Sequence, residues 1–225
     1  MPRTRTLAIV IVSSIAFITS CTGPEEHLVN TFLTAVRDGQ EDMIRGVSVV
    51  DLPDADVQTW EIVEVGPETT EPYHLAELRT AFFQATEAWE LGVGANDQFL
   101  NDNHDKTNRY RARINEDPDY KFTSGEMAAY QEEWEKRLEN ARELAGRLRE
   151  ADEALKKERD QTYMSANMAV RDGFEGDIAV KTVKVNVNGD SGSKTYDMTV
   201  RKYNIVDAET GIKPMSRWIV TEIDG

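Results

Sequence analysis

The sequence predicts an α+β fold: a bent antiparallel sheet with N-terminal helices in a cone-like arrangement, interrupted by a long helical-hairpin insertion. Two observations carry this. Apolar residues recur at helical spacing near the start and again through the middle of the chain. From Ile178 onward the composition shifts to alternating runs rich in Val, Ile, Thr and Tyr, separated by a Gly/Ser/Asn/Asp turn.

The first helix spans residues 25–37. Leu28, Val29, Phe32, Leu33 and Val36 share one face, and Glu25 and Glu26 occupy the first turn, where negative charge suits the helix dipole. Gly39 is placed to take a left-handed cap. A short helix over 41–45 follows, then an ambiguous apolar stretch over 47–53 and a strand over 60–65.

Glu71-Pro72 is read as the start of a new helix with the stripe Leu75, Leu78, Phe82, Ala85 and Trp89. Gly92 and Gly94 weaken it, and Phe99-Leu100 continues it. Residues 101–121 read as a polar, irregular link, because Pro118 argues against helix there. Thr123-Ser124-Gly125-Glu126 reads as a capping box. The long helix after it runs to about Met164, roughly 60 Å at 1.5 Å per residue. Its surface carries the i,i+4 pairs Glu132/Lys136, Glu133/Arg137, Glu143/Arg147, Asp152/Lys156 and Glu153/Lys157.

Three strands close the chain, over 178–187, 195–206 and 217–223, the first two joined as a hairpin. Within the hairpin the apolar phase changes. It moves from even to odd positions near Lys181 and makes the matching change near Arg201. A one-residue phase change moves the buried set to the other face. Paired bulges, or burial of different faces along the length, both account for it, and both imply a strongly bent sheet.

The N-terminus carries a different signal. Arg3 and Arg5 precede an apolar run over 7–18, too short for the roughly twenty residues of a spanning helix. The run ends in Ile18-Thr19-Ser20-Cys21, which resembles the lipobox of bacterial lipoproteins. The resemblance implies a signal peptide cleaved between Ser20 and Cys21. It also implies a diacylglycerol thioether on Cys21 and a fatty acid such as palmitate on the new amine. Cys21 is the only cysteine, so no intrachain disulfide forms in the oxidising compartment that export implies. The domain plan is therefore a signal peptide over 1–20, an α+β domain from 21–71 and 170–225, and a helical insertion over 72–169. The expected location is the cell envelope, at the outer membrane in a Gram-negative organism, because Thr22 and not Asp follows the cysteine.

A second resemblance concerns the exported part. Phe32-Leu33-Thr34-Ala35-Val36-Arg37-Asp38-Gly39 and the terminal Arg217-Trp218-Ile219-Val220 strand look like the nuclear transport factor 2-like fold, a bent sheet wrapped on helices into a cone. The insertion stands where that family usually has one helix.

The net charge is −15, and loss of Arg3 and Arg5 with the signal deepens it. Such a surface repels nucleic acid and anionic headgroups, which argues against a nucleic-acid partner. No catalytic, metal or cofactor set is read. His27, His74 and His104 lack the spacing of a metal helix motif, and the stretch from Asn101 has Lys106 and Ala112 where a calcium loop needs Gly and Glu. Trp60, Tyr196, Tyr203 and Trp218 are strand aromatics that would line a pocket mouth in a cone, with core packing as the alternative. The leading expectation is a lipid-anchored binding module for another envelope protein, with self-association as an allied form. The alternatives are a small-ligand carrier or cryptic enzyme with a cone cavity, and a structural spacer.

Overall fold

The computed structural model describes residues 23–53, 56–169 and 173–225. Ser20 and Cys21, and with them the expected cleavage and lipidation, lie outside the described residues.

The N-terminal part begins with α1 (Pro24–Arg37) and α2 (Glu41–Val47). Pro24 opens α1, where its missing N–H costs nothing. Leu28, Val29, Phe32 and Leu33 are buried as their spacing predicts. Gly39 adopts φ +66°, and the Gln40 amide donates to the Ala35 carbonyl at 2.8 Å, closing the helix as expected.

An open five-stranded antiparallel sheet follows the order β1 (Thr59–Val65), β3 (Phe174–Gly189), β4 (Gly192–Asp207), β5 (Ile219–Asp224). A short β2 (Thr69–Pro72) pairs with β3 beyond the end of β1. This corrects the helix expected from Glu71-Pro72. Pro72 ends an edge strand opposite Asp177, a place where a missing N–H is tolerated. Helix α3 (Leu75–Asp102) starts only after His74.

Between β2 and β3 stand α3, α4 (His104–Glu116) and α5 (Gly125–Ala166). Helices α3 and α5 form an antiparallel hairpin. Leu78 and Phe82 pack beside Leu155 at its base, the Ala95 carbonyl accepts from Arg137 at 3.4 Å further out, and Phe99 stacks on Tyr130 and Trp134 at its tip. Gly92 is part of this seam and not a weakness in it. A Cβ there would stand 2.6 Å from Cδ1 of Leu144, so its absence lets the helices close. Gly94 faces open space. Gly94→Ala is therefore expected to raise stability by about 1 kcal/mol. Gly92→Ala falls short of that gain because Leu144 must move. Urea melts of the two variants check this.

Two further expectations for the insertion are corrected. The link over 101–121 contains α4, which sequence periodicity missed because its one buried residue is Thr107. Thr107 Oγ1 meets the Tyr130 hydroxyl at 2.9 Å, so a hydrogen bond and not an apolar stripe docks α4. Pro118 falls just after the helix ends, so it limits α4 without excluding it. The capping box is also absent. Ser124 makes no side-chain cap bond, and Glu126 pairs with Lys106 of α4 at 2.7 Å.

The ribbon of β3 and β4 keeps an unbroken register from Phe174 opposite Asp207 to Gly189 opposite Gly192. Val180 faces Arg201 and Lys181 faces Val200, so the two phase changes meet as expected. No bulge interrupts this pairing. The ribbon instead buries opposite faces at its two ends. Val183, Val185, Val187, Tyr196, Met198 and Val200 pack under α1. Ile178, Val180, Tyr203 and Ile205 pack on the other face against Leu155, Ala166 and the base of the hairpin. The bulges lie in the flanking pairs, at Ile62/Glu64 of β1 and Thr199/Val200 of β4.

Candidate functional site

The exchange of buried faces leaves part of each face without a core. On the α1 side, β4 residues beyond Val200 on the same face are Lys202, Asn204 and Val206. Here the ribbon has passed the helices that cover it, and a groove opens. A hollow of about 510 Å³ is walled by His27, Leu28 and Thr31 of α1, by Val47 of α2, and by Arg217 and Trp218 ahead of β5. Past Lys202 and Ser216 a second hollow of about 410 Å³ continues toward Lys213 and Met215. Met215 is 94% exposed.

At the inner end of the groove, Lys181 sits at the crossing point. Its Nζ lies 2.8 Å from Glu25 and 3.5 Å from Glu68, and 5.3 Å from the centre of the Trp218 ring. The Glu25 hydrogen bond holds the lysine above its usual range. Burial alone would push the Glu25 carboxyl up, but the Lys181 bond, a backbone bond and the lysine charge together leave it lowered. This ion pair fastens the start of α1 to the ribbon.

The opposite face holds a buried polar cluster at the hairpin base. The Tyr203 hydroxyl lies 2.8 Å from Gln161 Oε1 and 3.3 Å from Glu158 Oε2. Ser165 Oγ donates to the Arg217 carbonyl at 2.6 Å and accepts from the Tyr203 amide at 3.1 Å. Arg201 reaches Glu71 at 3.4 Å. Burial raises Glu158 above the ordinary carboxylate range, against the lowering effect of the Arg201 charge. Burial also raises Tyr203, and pushes Tyr73 up to about 12. Gln161, Thr162 and Ser165 occupy positions on α5 where an apolar stripe would normally continue. Their partners lie on β4 and ahead of β5, so the sequence of the helix alone carries only the anomaly.

The four strand aromatics do not converge on one pocket. Trp60 donates through Nε1 to Asn30 Oδ1 at 2.8 Å under the Arg37 guanidinium, tying β1 to α1. Tyr196 is buried on the α1 side with its hydroxyl donating to the Pro53 carbonyl. Tyr203 is buried on the other face. Trp218 alone lines the groove. The space between α1 and the sheet, where a cone cavity would lie, is filled by Phe32, Leu33, Val183, Met198 and their neighbours.

The histidines are likewise dispersed. His27 lines the groove, His74 precedes α3 near Glu158, and His104 meets Asn108 at 3.0 Å. Among the described residues no group of three or more His, Cys, Asp or Glu side chains could hold a metal ion. No described helix is long and apolar enough to cross a membrane. No family model, curated protein or solved structure matches the chain. The groove cations Lys202, Lys213 and Arg217 were missed by sequence reasoning. The signal available was Lys202, the first residue on the covered face of β4 after the phase change.

Proposed function

We propose that this protein is a lipid-anchored component of the cell envelope whose helical hairpin binds another envelope protein. The observation that carries the reading is the outer face of α3. From Ala76 to Asp102 no residue of α3 is fully buried, so the hairpin is a two-helix arm with no third layer over it. Phe83 and Leu91 stand on the side away from the seam, 60% and 68% exposed. The same side carries Glu87, Glu90 and Asp97, and no Lys or Arg occurs between Arg79 and Lys106. An apolar, acidic stripe of this kind suits a basic amphipathic helix, which would supply both the apolar anchors and the opposite charge. Two copies meeting through α3 would set acids against acids, so a hetero-partner fits this stripe better than a second copy.

The anchoring half of the proposal rests on the lipobox-like Ile18-Thr19-Ser20-Cys21 and the single cysteine. Two or three acyl chains, each adding about 0.8 kcal/mol per buried CH₂, make attachment durable. The nuclear transport factor 2-like reading of the core is carried by the pattern of α1, α2 and the sheet. That family encloses a cone, and in this chain the corresponding space between α1 and the sheet is packed with side chains. A carrier or enzyme working through a cone interior is correspondingly disfavoured.

The test is site-specific photo-crosslinking in cells. A crosslinker at Phe83 or Leu91 should give one discrete adduct, and the Glu87→Lys/Glu90→Lys pair should abolish it. A crosslinker at Arg142, exposed on α5, should give none. Equal adducts at all three positions, or none on α3, would remove the reading.

A further inference from the structure

We propose that the groove beside the start of α1 binds a single anionic phospholipid, with an acyl chain along its apolar floor and the phosphate on Lys202, Lys213 and Arg217. This goes beyond the hairpin reading and does not rest on it; its argument from position rests on the proposed anchor at Cys21.

Three features point to that occupant. The first is charge. Acids outnumber bases 41 to 26 in this chain, and most bases on the long helix are spent on ion pairs. Lys202, Lys213 and Arg217 have no acidic partner among the described residues. Arg217 gives its Nε to the Met164 carbonyl at 3.1 Å and keeps its terminal amino groups for another acceptor. Three unpaired cations gathered along one groove of a strongly acidic protein mark a place for a phosphate.

The second is the lining. Leu28, Val47 and Trp218 form the floor of the inner hollow, and Pro214 and Met215 form a wall of the outer one. Each hollow by itself falls within the roughly 300–1,000 Å³ of small-molecule sites. A free phosphate or a soluble anion would use the cations and leave these apolar surfaces wet. An amphiphile covers both.

The third is position. Pro24 and His27 on the groove wall lie three and six residues after Cys21. A chain held to a bilayer at that cysteine would carry the groove against the lipid surface, where anionic phospholipid is the abundant amphiphile. The overall negative charge would oppose a broad docking on that surface. One lipid lifted into a local cationic groove is the form of contact that this charge distribution permits.

The experiment uses the full chain carrying Cys21→Ser, which removes the thioether and leaves every groove residue in place. It is titrated with dihexanoylphosphatidylglycerol below its micelle concentration and followed by tryptophan fluorescence and calorimetry. The proposal expects saturable binding of one lipid per chain. Dihexanoylphosphatidylcholine and glycerol 3-phosphate should each bind about tenfold more weakly or worse. Lys202→Glu/Arg217→Glu should weaken phosphatidylglycerol binding by a similar factor with an unchanged circular dichroism spectrum. Met215→Asp, on the exposed wall, should weaken it without altering the response to glycerol 3-phosphate. Equal binding of the neutral lipid would show simple apolar adsorption, and equal binding of glycerol 3-phosphate would show an anion site only. Either result, or a charge-reversed variant that binds as well as the parent, would overturn the proposal.

Discussion

Phe32→Ala is expected to cost about 3–5 kcal/mol of stability, the usual range for truncating a fully buried aromatic. Phe32 is 0% exposed and packs with Leu33 of α1 against Val183, Val185 and Met198 of the ribbon. Its removal leaves a void between two elements whose backbones are fixed, α1 by its closure at Gly39 and its Glu25–Lys181 ion pair, and the ribbon by its ladder. Total stabilities of domains lie near 5–15 kcal/mol, so the loss would consume a large part of what is available. Urea unfolding should show a lower midpoint with an unchanged slope. Phe83→Ala, the same chemistry on the exposed stripe of α3, should stay within about 0.5 kcal/mol of the parent. Equal effects at the two sites would mean that α1 does not cover the ribbon as described.

Tyr203→Ala is expected to have a comparable effect, about 3–5 kcal/mol, on the other face of the ribbon. Tyr203 is 0% exposed, meets Tyr73 edge-on at 6.0 Å between ring centres, and gives its hydroxyl to the Glu158–Gln161 pair. Truncation removes the ring and also leaves two polar side chains of α5 without this partner, which adds a desolvation cost. Tyr203→Phe separates the two contributions, because it keeps the ring and should cost about 1–3 kcal/mol.

The same cluster predicts a pH signature. Burial raises Glu158 above its ordinary value of 4.5, so the folded state holds that proton more tightly than the unfolded chain. Its contribution to stability is therefore fully present below 4.5 and is lost as pH rises through the elevated value. Glu158→Gln should remove this loss and make the protein more stable at neutral pH than the parent. Glu25 and Glu222 act in the opposite direction. Lys181 and the start of α1 lower the first against its burial, and the Lys157 hydrogen bond lowers the second, so both lose stability below 4.5. Chemical unfolding of parent and Glu158→Gln from acid to neutral pH checks the sign.

Much of this fold is legible in the sequence because local periodicity and burial agree. The α1 stripe, the Gly39 cap, the two seam helices and the apolar phase change at Lys181 and Arg201 all appear where the residues place them. The failures have physical causes. Helix α4 is docked by Thr107 and by aromatic contacts at the tip, including Tyr110 with Tyr130, so it has no apolar stripe to detect. Strand β2 is four residues long and made of Thr, Glu and Pro, and only its pairing with β3 defines it. Lys157 leaves Glu153 on its own helix to reach Glu222 of β5 at 2.8 Å, a contact that helical spacing cannot reveal. The groove depends on where β4 runs out from under α1 and on the path of the segment before β5. Neither follows from the residues taken one element at a time.

The phase change itself is open to direct measurement by thiol labelling. In a Cys21→Ser background, single cysteines are placed along β3 and their native-state reactivity is compared. Cysteines at Glu175, Asp177, Thr182 and Asn188 should react readily, and those at Ile178, Ala179, Val180, Val183 and Val185 should be protected, so that the reactive positions change from odd (175, 177) to even (182, 188). A single unbroken alternation from 175 to 187 would contradict a ribbon that buries opposite faces at its two ends.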